Sequence, residues 1–248
     1  MKQLLILFCV LCSPLFALTG REVMEKVHIE SQKKSTRQAV VDMKIYDDQG
    51  RSRVRYFNYW TKFTDNSEKS LIKFFRPKNI KGTALLTRSK TVSDIKSQWI
   101  YLPAFKSVKQ LSSSDKNKSF MGSDFSYSDI AGRKLDQDTH VLVRESDDYF
   151  FVESIPVDSE SASYSKIRYI VSKYHNLVAK AIFYDLKGEK LKTLHNKKIS
   201  LINNVNVVMT SEMTNHQTKG KTILIVQSMK VGSPINDNLL TVTSLKTL

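Results

Sequence analysis

Cysteine is nearly absent. Cys9 and Cys12 are the only two in 248 residues, and both fall within the first twelve positions. A chain that loses that segment has no disulfide framework and no cysteine-ligated metal. Glycine and proline are also scarce, at eight and five. The long patterned segments therefore run with few breaks, and no linker, internal repeat or low-complexity block divides them. After the amino terminus no run is long and apolar enough to span a bilayer as a helix. Chemical motifs are missing too. No glycine-rich loop opens a helix to hold phosphate, and there is no G-x-S-x-G elbow or H-E-x-x-H pair. The five histidines (28, 140, 175, 195 and 216) are scattered without ligand spacing. No cofactor is expected.

The amino terminus reads "MKQLLILFCVLCSPLFALTG". One lysine, a short apolar run and the small residue Ala17 make a cleavable export signal over residues 1–17, leaving 18–248 as one domain. A lipid anchor on Cys9 or Cys12 would need a small residue just before it, and Phe8 and Leu11 stand there instead. Export without an anchor implies the periplasm, or secretion, for the mature chain, and the periplasm is the expected location. Loss of Lys2 takes the formal charge from +15 to +14. Such an excess suits a merely solvated basic surface, or a partner such as anionic lipid headgroups. Export argues against nucleic acid, although "RVRYFNYW" interleaves arginine and aromatics as a single-strand binder would.

Thr19-x-x-Glu22 is a capping box, and Val23, Met24 and Val27 put an apolar stripe on one short helix that ends by Lys33–Arg37. From there the period is two. Val41, Met43 and Ile45 alternate with polar residues, as do Val54 to Trp60 against Arg53 to Tyr59. The pattern continues through 71–75, 149–153, 167–171, 177–184, 205–209 and 223–229. Turn signals separate these runs: "DDQGR" at 47–51, "LKGEK" at 186–190, "INNVN" at 202–206 and "TKGK" at 218–221. Roughly ten or eleven strands with short turns predict a mainly β fold, an antiparallel sheet curling on itself. "RYFNYW" and "YFFVES" are apolar on both sides, so each face is covered or lines a cavity.

The stretch "FMGSDFSYSDI" (120–130) offers three kinds of chemistry. Asp124, Ser126 and Ser128 match the first positions of a calcium loop, but Asp129 and Leu135 occupy the places of its glycine and terminal glutamate. Ser123 or Ser126, with Asp124 or Asp129, could serve a lipid hydrolase if a distant histidine converged on them. In the third reading Met121, Phe125 and Ile130 point one way as a lid over a greasy space, with the serines and aspartates as caps in water.

The order "RPKNIKGTALLTRS", then "QWIYLPAFKSVKQLSSSDKNKSFMGSDFSYSDI", resembles the LolA-like outer-membrane lipoprotein-sorting family over about residues 20–245. LolA itself is similar more faintly, through Trp99-x-Tyr101-x-Pro103 and Phe120-Met121. The resemblance implies an unclosed antiparallel β-barrel of the LolA/LolB kind, with short helices plugging its concave face and an apolar cavity for acyl chains. It points to a carrier of lipid or lipoprotein acyl chains; a lipid hydrolase at 123–129 and a sensor that binds lipid and signals to a membrane protein are the alternatives. Its partners would be an inner-membrane transporter of the RND class and an outer-membrane acceptor. Trp60, Phe74, Trp99, Tyr101, Phe105, Met121, Phe125 and Tyr127 are the expected lining. Arg55 and Arg76 are candidates for the arginine that LolA carries on a strand.

Overall fold

The computed structural model describes residues 18–34, 36–64, 67–89, 96–160 and 162–247. The segment expected to direct export, with both cysteines, lies outside the described residues. Thr19 caps helix α1 (Gly20–Gln32) through the reciprocal Thr19–Glu22 box. The strands follow: β1 (Thr36–Tyr46), β2 (Ser52–Thr64), β3 (Ser67–Arg76), β4 (Ala84–Ser89), β5 (Ser97–Leu102), β6 (Ser107–Gln110), β7 (Asp138–Glu145), β8 (Tyr149–Pro156), β9 (Lys166–Ser172), β10 (Leu177–Tyr184), β11 (Lys190–Ile202), β12 (Val205–Asn215) and β13 (Lys221–Val231). Between β6 and β7 lie two short helices, α2 (Ser113–Lys116) and α3 (Tyr127–Ala131).

All thirteen strands form one antiparallel sheet in the order β6-β5-β4-β3-β2-β1-β13-β12-β11-β10-β9-β8-β7. Each strand pairs with its chain neighbours except at one place. Strands β6 and β7 are consecutive in sequence yet occupy opposite edges, while the first and last strands pair along ten registered positions. The result is a curled sheet that does not close, and residues 111–137 join its two free edges.

The thirteen strands among the described residues exceed the ten or eleven expected, for physical reasons. Strand β4 is buried on both sides and shows no alternation. Strand β6 has four residues, only one of them half-buried. The turns fall where glycine and asparagine announce them. Gly50 and Gly188 have φ of +77° and +82°, and Asn203 and Asn204 both have positive φ in the two-residue link between β11 and β12, the backbone that suits a tight hairpin.

Two registered rows show how period two divides the sheet. Tyr59, Ile72, Leu85 and Ile100 lie side by side on β2 to β5, and so do Trp60, Leu71, Leu86 and Trp99. The first row faces inward, into a cluster that contains Val41, Met43, Phe57, Phe74, Phe120 and Phe125. The second faces outward, where the carboxy-terminal stretch covers it through Leu240 and Leu245, both without solvent exposure. Helix α1 lies on the inner side against β7 and β8, with Val23 packed on Phe150, Val152 and Val171. Gly20 permits that approach, since a Cβ there would sit 2.6 Å from the backbone of Val141 and Leu142. Burying one large apolar side chain is worth about 1.5–3 kcal/mol, so each of these clusters contributes several times that.

Candidate functional site

Residues 111–131 fill the inner side as a plug. The chain reverses at Met121 and Gly122, both with positive φ, and Phe120 N–H donates to the Phe125 carbonyl at 2.7 Å. Phe120 is fully buried, 5.8 Å from the ring of Phe74 and edge-on to Tyr127 at 5.4 Å. Gln98, buried on β5, donates through Nε2 to the Tyr127 carbonyl at 2.9 Å. Lys96 Nζ donates to the Ala131 carbonyl at 2.6 Å.

The polar residues of this plug do more than face water. Ser126 and Asp129 form the capping box of α3, as expected of caps. Asp129, however, also ion-pairs with Lys192 of β11, and the two side chains are only 7% and 6% exposed. It accepts a further bond from Tyr164 Oη at 2.7 Å, and the Lys192 ammonium lies over the rings of Tyr164 and Phe183. Burial beside this carboxylate holds the Tyr164 phenol far above its usual range. Asp124 accepts from Thr222 Oγ1 of β13 at 2.6 Å. Burial raises the Asp124 carboxyl above its usual value, and that hydroxyl partly opposes the rise. The expectation that both aspartates lie mainly in solvent is therefore corrected: each ties the plug to a different strand. Lys192 neutralises the Asp129 carboxylate and also approaches the Asp124 carbonyl at 3.5 Å, while Thr222 donates to the Asp124 carboxyl. Ser123 and Ser126 bond within their own segment, to Phe125 and to Asp129 and Ser128.

Beside the plug, the inner face of β1, β2, β12 and β13 borders an apolar cavity of about 340 Å³. Ala39, Val41, Phe57, Val207, Val226 and Met229 contribute to its wall, and Ile130 of the plug and Ser31 of α1 border it. A second, polar cavity of about 280 Å³ shares Ser31, Arg37, Tyr59 and Ile130 with the first. Arg37, Lys96, Arg133 and Lys134 line this second space with one carboxylate, Glu68. Burial raises the Tyr59 phenol to about 12, so it stays neutral where the two spaces meet.

The eight expected lining residues separate. Phe74, Met121, Phe125 and Tyr127 meet in the inner cluster with the plug. Trp60, Trp99 and Tyr101 lie on the other side of the sheet, against the carboxy-terminal stretch. Phe105 is 74% exposed in the turn between β5 and β6. Alternation assigned Trp99 and Tyr101 correctly to one face and Ile100 to the other, but it carries no sign for which face is inner. Of the arginines, Arg55 is half-buried on the inner face, while Arg76 is exposed at the end of β3. Arg37 was missed, although a signal existed. It stands in phase with Ala39, Val41, Met43 and Ile45, a charge at an apolar position. Lys192, in phase with buried Phe183 across β10 and β11, carries the same signal.

An unclosed antiparallel barrel, plugged from within and bearing an apolar cavity, is a LolA-like fold. A Vibrio parahaemolyticus domain described as an outer membrane lipoprotein-sorting protein superposes with a TM-score of 0.84 at 29% identity, over 92% of this chain and 98% of that one. A DUF1329 family protein from Desulfovibrio piger (0.83, 24%, 91% and 98%) and a LolA superfamily protein from Nitrosomonas europaea (0.71, 21%, 91% and 98%) share the fold. A family model described as "Uncharacterized protein" matches residues 66–247, and the chain belongs to that family. Comparison with curated proteins gives no match.

Proposed function

We propose that this protein is a periplasmic carrier that holds an acyl chain of a lipid or lipoprotein in the cavity beside its plug and passes it toward the outer membrane. The observation that carries the reading is the apolar cavity of about 340 Å³ on the inner face, in a fold shared with the Vibrio parahaemolyticus domain whose description names lipoprotein sorting. That volume is at the small end for ligand sites, ~300–1,000 Å³, and suits one chain better than several. Ten buried methylenes at ~0.8 kcal/mol each give ~8 kcal/mol, a micromolar affinity before ordering costs. Binding of this kind needs no covalent chemistry, and release needs a partner that favours the emptied state. An RND-type exporter and an outer-membrane acceptor would be the donor and recipient. The processed chain would start at Leu18.

The test is lipid extraction from the purified protein followed by mass spectrometry, with Val226→Trp as comparison. Val226 is half-buried on the cavity wall, so an indole there fills the space without reaching the deep core. Wild type should carry acyl lipid and Val226→Trp should carry little, with an unchanged circular dichroism spectrum. Equal lipid on both proteins would move the cargo elsewhere, and none on wild type or in subsequent fatty-acid titration would end the reading.

A further inference from the structure

Arg37 stands where the apolar and polar cavities meet and lines both. It enters from the inner face of β1, with its guanidinium 5.6 Å from the centre of the Phe63 ring. Its Nη2 makes two long contacts, 3.3 Å to the Lys33 carbonyl and 3.5 Å to that of Glu30, at the end of α1. Its Nε is buried with no hydrogen-bond partner. The carboxylates nearby are engaged elsewhere. Glu30 pairs with Lys33 at 2.5 Å, and Glu68 pairs with Lys96 at 2.7 Å. Of the other cations on the polar wall, Arg133 pairs with Asp138 at 2.6 Å. Among the described residues Arg37 makes no ion pair.

A guanidinium has five donors in a planar fork suited to carboxylate and phosphate oxygens, and it stays charged even where burial lowers its pKa, as burial does here. Capping the end of α1 accounts for Nη2 alone, and two long contacts to carbonyls are poor compensation for a half-buried charge. A neutral ligand leaves that cost in place. An anionic oxygen at the junction removes it, and the remaining chemistry is already arranged: apolar wall on one side, polar wall on the other.

Resting on the carrier reading, we infer that the cargo is a single-chain anionic amphiphile, its alkyl tail in the apolar cavity and its carboxylate or phosphate oxygens on Arg37. A charge-assisted bidentate contact is the strong kind of hydrogen bond, and its loss is worth about tenfold or more in affinity. The experiment titrates the full chain calorimetrically, below micelle concentrations, with three ligands of equal tail length: palmitate, hexadecyl phosphate and hexadecanol. Wild type should bind at least one anion about tenfold tighter than the alcohol, and which anion binds tighter separates a fatty acid from a phosphate headgroup. Arg37→Gln should weaken the anions about tenfold more than the alcohol, and Arg37→Lys should keep part of the preference. Equal binding of all three ligands by wild type, or an undiminished anion preference in Arg37→Gln, overturns the inference while the carrier reading stands. If wild type binds none, both fall. Should Arg37→Gln fail to show a melting transition, the wild-type ratio and Arg37→Lys decide.

Discussion

Asp129→Asn removes one charge from the plug and leaves the Lys192 ammonium without its counter-ion at a site where the side chain is 6% exposed. Breaking a buried pair from one side costs about 3–5 kcal/mol, because the remaining charge stays desolvated. That is a large part of the ~5–15 kcal/mol total of a typical fold. The Tyr164 bond and the α3 capping box survive in weakened form, since an amide oxygen can still accept. Urea unfolding followed by tryptophan fluorescence reads the loss, and about 3 kcal/mol moves the midpoint by roughly 1 M or more. Adding Lys192→Met to Asp129→Asn removes the stranded charge and should recover at least half of the loss, a coupling that a double-mutant cycle measures directly. Asp124→Asn is the internal contrast. Burial raises the Asp124 carboxyl, so its folded form holds a proton more tightly than the unfolded chain does. Its favourable contribution is complete below the unfolded value, about 3.9, and is lost as pH rises through the higher folded value. Asparagine cannot ionise and can still accept from Thr222. The variant should therefore match or slightly exceed wild type at neutral pH and flatten the stability profile in the weakly acidic range. The reasoning fails if Asp129→Asn costs under about 1 kcal/mol, or if Asp124→Asn is the more damaging of the two.

Other expectations follow from single contacts. Gly20→Ala places a methyl 2.6 Å from the β7 backbone. It should cost about 1–3 kcal/mol as overpacking, with faster amide exchange across α1; a neutral result would mean that the helix shifts freely. Phe125→Ala, at a position 5% exposed, should lower stability by about 3–5 kcal/mol, and its effect on fatty-acid binding should follow that loss, a relation checked by measuring both at several temperatures. The +14 formal charge of the processed chain, +15 less Lys2, should favour vesicles rich in anionic lipid over neutral ones, and flotation at high salt should erase the preference because screening shortens the field.

What the sequence determined is local. A threonine three residues before a glutamate caps α1, alternation of period two makes strands, and glycine or asparagine at positive φ makes the hairpins. These depend on residues within a turn of one another, so they can be read without a fold. The resemblance carried by residues 98–130 extended that to the unclosed barrel and its plug. The sign of each sheet face was decided only in three dimensions. Trp99 and Ile100 are equally apolar neighbours, and whether the outer row is covered depends on Leu240 and Leu245, some 140 positions away in the chain. The anchors of the plug were decided there as well. Asp129 meets Lys192 only because β6 and β7 end at opposite edges and bring the link between them across β11. Arg37 could be seen as a charge out of place on an apolar strand face. That no carboxylate answers it depended on Glu30 pairing with Lys33 just past the end of α1, a spacing of three that the sequence shows, and on Glu68 pairing with Lys96 beyond the next strand, which packing sets rather than spacing.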